Sequence, residues 1–422
     1  MHHFTYRDGV LHAEDVPLPA IAADVGTPFY CYSAATLRRH FKVFAGAFAD
    51  VSSLVCYAMK ANSNLAVLRV LAELGAGMDV VSEGELRRAR AAGVPADRIM
   101  FSGVGKLARE LAYALDEDIL CFNVESEPEL ELLSRIASAK GRIARISLRI
   151  NPDVDAKTHR KIATGKSENK FGIPIAEARE LYARAARLPG IRVTGVDMHI
   201  GSQITALEPY DASIERLVGL VRLLRADGHT IDHIDFGGGL GIPYRDDNEP
   251  PPHPDDYAAV VKRYARDLDA TLVFEPGRLI AGNAGILVSE VVYVKQGEGK
   301  TFVIVDAAMN DLIRPTLYDA YHAIWPVRER QAGGAMITAD VVGPVCETGD
   351  YLALDRAIPL VASGDLVAVM SAGAYGAVQA GTYNTRPLVP EVLVDGDKFA
   401  VIRKRPTYDE MLGLDIIPDW LV

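Results

Sequence analysis

Only four cysteines occur in the 422 residues, Cys31, Cys56, Cys121 and Cys346, and none forms a CxxC pair. That scarcity excludes a disulfide framework and a cysteine-based zinc site, so no metal is expected, and any special cysteine would be special for its reactivity. Positive charge is also in short supply: 45 Lys and Arg against 56 Asp and Glu give a net charge of -11. The chain therefore has no basic footprint for nucleic acid or an anionic membrane, and a small-molecule partner is expected instead. No apolar run reaches the roughly 20 residues of a membrane span. The start, Met1-His2-His3-Phe4-Thr5, does not lead from a basic segment into an apolar stretch. A cytoplasmic location is the expectation. No low-complexity linker and no short-period repeat interrupts the chain.

What is present is enough apolar residue, 49% of the chain, to bury a sizeable core divided between two domains. After a lead ending in Thr27-Pro28-Phe29-Tyr30-Cys31-Tyr32, β-branched apolar runs alternate with helix-periodic stretches rich in Ala, Leu and Arg. Strands are predicted over 53–60, 77–82, 98–103, 119–125, 145–151, 193–201, 233–239 and 271–278. Amphipathic helices are predicted over 64–75, 83–93, 127–141, 175–188 and 210–228, several ending at a glycine suited to a C-cap. Eight strands with helices between them predict a (β/α)8 barrel of the TIM type. Past about residue 285 the helical period fades and strand-like runs follow over 288–295, 302–307, 336–345, 366–371 and 399–403. The expected organisation is an N-terminal segment 1–34, a barrel over 35–284 and a C-terminal β-domain over 285–422, sandwich-like or barrel-like, that also takes up the N-terminal segment. The run Glu249-Pro250-Pro251-Pro252-His253-Pro254 reads as the loop between the seventh strand and its helix.

Barrel enzymes carry their chemistry at the C-terminal ends of the strands. The first run ends Tyr57-Ala58-Met59-Lys60-Ala61-Asn62, the sixth Met198-His199-Ile200-Gly201-Ser202-Gln203, the seventh Gly237-Gly238-Gly239-Leu240-Gly241 and the eighth Glu275-Pro276-Gly277-Arg278. Alone, such a lysine is a solvated strand end, such a histidine a packed one, and such glycines a turn. Two familiar nucleotide motifs fail on their own terms. Ile242 stands where a dinucleotide fingerprint begun at Gly237 needs its last glycine, and Arg160 stands where a P-loop ending Gly165-Lys166-Ser167 needs its first. Together, a lysine for a Schiff base, glycines and an arginine for a phosphate, and a carboxylate for a pyridine nitrogen are what pyridoxal phosphate requires.

The segments YAMKAN, HIGSQ, GGGLG and EPGR, with GPVCETGD (343–350) and SAGAYG (371–376), closely resemble diaminopimelate decarboxylase, from about Thr27 to Tyr408 and in the family's order. The resemblance implies the alanine-racemase-like barrel with its β-domain, pyridoxal 5'-phosphate as cofactor, and conversion of meso-2,6-diaminopimelate to L-lysine and carbon dioxide. It implies that Lys60 carries the cofactor, His199 stacks on its ring, and Glu275 pairs with the ring nitrogen. Ser202, Gly238, Gly239, Gly277, Arg278 and Tyr375 would contact phosphate or substrate. It further implies that Cys346 donates a proton into the active site of a partner subunit, so that the protein is a homodimer with shared sites. Arg278, Arg314, Tyr318, Glu347 and Tyr375 would hold the substrate, the arginines gripping its far carboxylate and Glu347 its far ammonium. The other readings are a decarboxylase of the same group acting on ornithine, arginine or carboxynorspermidine, a racemase of the same barrel, and a regulatory relative without catalysis. The stretch Thr158 to Phe171, rich in Lys and His, is a candidate lid.

Overall fold

The computed structural model describes residues 2–156, 158, 164–165, 170–245, 250–266, 268–330 and 334–421. It divides into two units, one of Leu37–Pro243 with Asp247–Ile280, the other of Met1–Thr36, Tyr244–Asp246 and Ala281–Val422.

In the first unit the apolar runs become eight parallel strands, Ser53–Ala58, Gly77–Val80, Ile99–Phe101, Cys121–Val124, Ala144–Asn151, Ile191–Asp197, His233–Asp235 and Thr271–Phe274. Each pairs with its neighbour and the last returns to the first through Phe274 and Val55, closing the expected barrel. Helices start where a short polar side chain supplies the missing acceptor. Asn64 accepts from the Ala66 N–H, Ser82 from Glu85 and Ser126 from Glu129. Gly141, at φ 61°, ends the helix Glu127–Lys140 in the left-handed conformation that glycine tolerates best. The helix Ala108–Glu117, which sequence periodicity did not predict, packs Leu111, Ala114 and Leu115 inward. Beneath the strand ends Phe48 and Phe274 lie 4.0 Å apart between ring centres, with Phe44 and Tyr257 around them. Burial of each such ring is worth about 1.5–3 kcal/mol.

The strand tips are shorter than the sequence runs. The first strand stops at Ala58 and the chain turns through a 3-10 segment, Met59–Ala61, so Lys60 stands on a turn and not at the end of a strand. The seventh strand stops at Asp235 and the eighth at Phe274, which leaves Gly237 to Gly239 and Glu275 to Gly277 as the connecting turns. Pro254 does open a helix, Pro254–Ala265, while Glu249 lies outside the described residues.

The second unit is built on one long strand, Gly285–Gln296, which pairs with Phe29–Ser33, Thr301–Val305 and Leu366–Val369. The N-terminal strand Phe29–Ser33 is thus sheet-bonded to the C-terminal half, and it also pairs with Glu391–Asp395. Phe4, Leu11, Leu18, Ile21, Phe29, Ile286, Val288 and Val392 share one apolar core, so the N-terminal segment belongs to this domain as expected. Among the described residues past 285, three strands went unpredicted: Ile324–Pro326, Tyr351–Pro359, whose middle carries Asp355 and Arg356, and Glu391–Asp395, which begins and ends in acids. Polar residues on a half-solvated or edge strand erase the apolar run without preventing pairing. Among the described residues no helix is long and apolar enough to cross a membrane.

Candidate active site

The barrel strands carry polar residues inside their apolar runs: Asp79, Asn123, Ser147, Asp197 and Asp235, all buried. Side chains alternate along a strand, so a polar residue there faces the barrel interior together with its counterparts on neighbouring strands. Asn123 links Ser147 to two polar residues just past their strands, donating to the Ser102 hydroxyl at 3.0 Å and to Glu275 Oε1 at 3.4 Å while accepting from Ser147.

Lys60 sits on this layer's rim. Its Nζ lies 3.2 Å from Asp79 Oδ2, with the lysine partly exposed and the aspartate wholly enclosed. A lysine so placed has a fixed amine with access to a ligand. Beside it, the glycine turn after the seventh strand is too crowded for any side chain. A Cβ on Gly238 would stand 2.2 Å from the Glu275 carbonyl oxygen, and one on Gly239, at φ 104°, 2.4 Å from that of Gly201. Gly277 is nearly as tight, with the Ala61 and Ala58 methyls 3.1 and 3.2 Å from its would-be Cβ. The turn is tied to the eighth strand by the Glu275 N–H donating to the Gly237 carbonyl at 2.7 Å.

His199 follows the sixth strand and is half-buried. The Gly238 N–H donates to its Nδ1 at 3.1 Å, so Nδ1 carries a lone pair and the ring is neutral with its proton on Nε2. Burial holds its pKa well below the ordinary histidine value, and the cations of Arg149 and Lys60 act in the same direction. Ser202, three residues on, accepts from Arg278 Nη2 at 3.0 Å and Nε at 3.3 Å. Of the candidate lid, Thr164 and Gly165 are bonded to neighbours: the Thr164 hydroxyl donates to the His199 carbonyl at 2.9 Å and the Gly165 carbonyl accepts from Val154 at 3.0 Å. Residues 157, 159–163 and 166–169 of that neighbourhood lie outside the described residues.

Glu275 is buried, and one oxygen each of Asp197, Asp235 and Glu275 lie within 4.8 Å of one another. Three carboxylates at that spacing need either a cation or shared protons between them. Burial first, then mutual repulsion, raises the carboxyl pKa of Asp197 and Glu275 well above the usual range and that of Asp235 to about 7. Shared protons therefore fit this layer at neutral pH. Asp79 Oδ1, Asp197 Oδ1 and Asp235 Oδ2 are buried without a hydrogen-bond partner among the described residues.

These residues fit pyridoxal phosphate. Lys60 offers an amine for its aldehyde, the side-chain-free turn at Gly238 and Gly239 with Arg278 and Ser202 offers donors for its phosphate, and Glu275 offers an acid held in a low-dielectric site for its ring nitrogen. Asp79, Asp235 and Asn123 went unnoticed in the sequence, although each is a polar residue inside an apolar strand run.

The other candidate residues belong to the second unit. Arg314 and Tyr318 open and close one short helix, Arg314–Tyr318, with Arg314 only 5% exposed. The Thr316 hydroxyl of that helix donates to the Gly349 carbonyl at 2.6 Å, which ties the helix to the loop carrying Cys346 and Glu347. Asp350 braces this loop by accepting from the N–H groups of Val345 at 2.7 Å and Met309 at 2.6 Å. Cys346 is exposed, its N–H donating to Asn384 Oδ1 at 2.8 Å, while Glu347 accepts from Tyr383 at 3.4 Å. Tyr375 has φ 57°, left-handed backbone that a tyrosine adopts only when its surroundings dictate it.

Residues 34–282 match the family described as pyridoxal-dependent decarboxylase, pyridoxal binding domain. Over 422 residues the chain is 52% identical to the diaminopimelate decarboxylase of Vibrio cholerae, covering 99% of this chain and 100% of that one. It is 53% identical over 419 residues to that of Pseudomonas aeruginosa, with the same coverage. Among solved structures it is similar to diaminopimelate decarboxylase from Helicobacter pylori complexed with L-lysine, at a TM-score of 0.90 and 42% identity over 94% of this chain and 98% of that one.

Proposed function

We propose roles for individual residues from one premise: the chain belongs to the diaminopimelate decarboxylases, pyridoxal-phosphate-dependent carboxy-lyases. It decarboxylates meso-2,6-diaminopimelate to L-lysine and carbon dioxide, the last step of lysine biosynthesis. Pyridoxal phosphate, when bound, supplies an electron sink for the pair left behind as carbon dioxide departs.

The chain's own residues prepare that event. Lys60, whose Nζ lies beside Asp79, would hold the cofactor through its aldehyde. Neutral His199 would offer a flat face for the cofactor ring. Glu275 would hold a proton at the pyridine nitrogen, and the buried acids beside it would favour keeping it there. Gly238, Gly239, Gly277, Arg278, Ser202 and Tyr375 hold the phosphate and the substrate's near end. Once carbon dioxide has left, Cys346 Sγ delivers a proton to the vacated carbon. Its exposure in the single chain suits a thiol that serves a partner's site, so the reading includes a homodimer with two shared sites. Four free cysteines suit a reducing compartment, and the cytoplasm is the location we assign.

One observation carries the choice of substrate. Arg314, only 5% exposed on the same short helix as Tyr318, presents a guanidinium of the shape that pairs bidentately with a carboxylate. Diaminopimelate has a second carboxylate for it, and ornithine and arginine do not. To that carboxylate we assign Arg278, Arg314 and Tyr318, and to the far ammonium Glu347. The experiment is carbon dioxide release from the cofactor-loaded protein with meso-diaminopimelate, ornithine, arginine and lysine. Preference for diaminopimelate, with kcat/KM reduced by Arg314→Ala, is expected. Equal turnover of ornithine would overturn the assignment. In Cys346→Ala, carbon dioxide release should outrun lysine formation, because the proton is no longer supplied on time. Unchanged stoichiometry would remove Cys346 from that role.

A further inference from the structure

A buried guanidinium that is to grip a carboxylate must be held still without having its charge cancelled. Arg314 Nε donates to His322 Nε2 at 3.3 Å, and His322 Nδ1 lies 2.8 Å from the Met370 carbonyl oxygen. An arginine can only donate and a carbonyl can only accept, so both partners impose one tautomer: the proton is on Nδ1 and the lone pair on Nε2 faces the guanidinium. His322 is fully buried. Its own carbonyl accepts from Arg356 Nη1 at 2.7 Å, and the Tyr244 ring meets its edge at 5.4 Å and 83°. The same Tyr244 ring lies 5.3 Å from Arg314 Cζ. Imidazole and phenol thus frame the guanidinium on two sides, and both are uncharged.

We propose that His322, with Tyr244 beside it, is a positioning residue that orients Arg314 for the carboxylate retained in the product. The proposal rests on the reading that Arg314 binds that carboxylate. A carboxylate in the place of His322 would orient the arginine equally well but would neutralise it and compete with the ligand. A neutral acceptor at Nε fixes the side chain without itself neutralising the guanidinium.

The test uses two ligands that differ only at this carboxylate, L-lysine, which keeps it, and cadaverine, which lacks it. Their affinities for the cofactor-loaded enzyme are measured by calorimetry, alongside KM and kcat for meso-diaminopimelate. In His322→Leu, L-lysine binding should weaken and KM should rise, each by roughly tenfold, as for loss of a hydrogen bond to a charged group. Cadaverine affinity and kcat should change less than about twofold. His322→Gln, which retains an acceptor, should recover most of the loss. Arg314→Leu should show the same pattern more strongly, and the double variant should be no worse than Arg314→Leu alone. If Arg314→Leu shifts the lysine-to-cadaverine ratio and His322→Leu does not, the positioning role is overturned and the arginine's role stands. If neither shifts it, the reading of Arg314 falls and the positioning role falls with it. Should His322→Leu fail to fold, Tyr244→Leu, at a half-buried position, must shift the ratio in the same direction. An unchanged ratio in Tyr244→Leu would then sink the proposal.

Discussion

Replacing Gly238 by alanine adds a single methyl group at the point where the seventh-strand turn passes over the eighth. Ordinary van der Waals contact for a Cβ begins near 3.4 Å, and the added carbon would meet the Glu275 carbonyl oxygen at 2.2 Å, so something must retreat by 3.4 − 2.2 = 1.2 Å. Neither side is a flexible side chain. The turn's backbone is held by the Gly238 N–H to His199 at 3.1 Å and by Tyr210, whose hydroxyl donates to the Gly238 carbonyl at 3.2 Å. The Glu275 backbone is held by Gly237 at 2.7 Å. Overpacking of this kind costs about 1–3 kcal/mol and a lost hydrogen bond about 1 kcal/mol more. The same displacement moves His199 and the glycine donors together, so cofactor affinity should fall along with stability. Gly219 provides the control: it lies inside the helix Glu208–Ala226 with nothing within 4 Å of its would-be Cβ. Gly219→Ala should therefore stabilise by about 0.5–1 kcal/mol. Urea unfolding and titration with pyridoxal phosphate, monitored by absorbance, measure both effects. If Gly238→Ala matches the parent in stability and cofactor affinity, steric exclusion at this turn is the wrong reason for the glycine.

Two further perturbations address the buried charges. Lys106 Nζ donates to the carbonyls of Gly103 at 2.8 Å and Asn123 at 2.7 Å and to Glu129 Oε1 at 2.7 Å, with no solvent exposure of its side chain. Lys106→Met keeps the shape and strands three acceptors, one of them a carboxylate, so a loss of about 3–5 kcal/mol is expected in urea unfolding, part of it recovered by adding Glu129→Gln. A loss below about 1 kcal/mol would show that the ion pair is dispensable. The acid layer predicts a pH dependence of opposite sign to that of ordinary paired carboxylates. Folding raises the pKa of Asp235 from about 4 to about 7. Folded-state proton binding is therefore the tighter, and the stability it brings is complete below about pH 4 and is lost as pH rises through 7. Asp197 and Glu275, shifted in the same direction, contribute with the same sign. Between pH 5 and 8 the parent should lose stability faster than Asp235→Asn, as read from unfolding midpoints at several pH values. Parallel profiles would mean that Asp235 does not titrate in this window.

The barrel was legible because its signal is periodic and local, with apolar runs of strand length alternating with helices whose first turns follow Asn64, Ser82 and Ser126. The residues of the proposed cofactor site were legible for a different reason: Lys60, His199, Gly238 and Glu275 all fall just past a strand run, where this fold places its chemistry. What stayed hidden depends on partners distant in sequence. His322 is an isolated histidine in the sequence, and only the fold puts Met370, 48 residues away, at one ring nitrogen and Arg314 at the other. Asp350 likewise gains its function from Met309, 41 residues off. The edge strand Tyr351–Pro359 was missed because exposed Asp355 and half-buried Arg356 break the apolar run that marks a strand.

Burial of Asp79, Asp197, Asp235 and Glu275 in one layer would be hard to justify on stability alone, since each ionised carboxylate taken from water costs several kcal/mol without a cation beside it. The layer's arrangement limits that cost in two ways. Asp79 is opposed by Lys60, and Asp235 Oδ1 accepts from the Gly237 N–H at 2.8 Å. The remaining acids bind their protons more tightly than free carboxyls do, because burial and neighbouring carboxylates raise their pKa values. The consequence reaches the proposed chemistry. A proton at Glu275 is held by surroundings that disfavour its loss to solvent, yet a cationic ring nitrogen placed against it would be favoured by every carboxylate in the layer. Asp235 binds this electrostatic arrangement to the phosphate turn, because the residue that repels Glu275 also anchors Gly237, and Gly237 receives the Glu275 N–H. The position of the glycine donors and the charge around the ring-nitrogen acid are thus set by one side chain, and neither can be altered without the other.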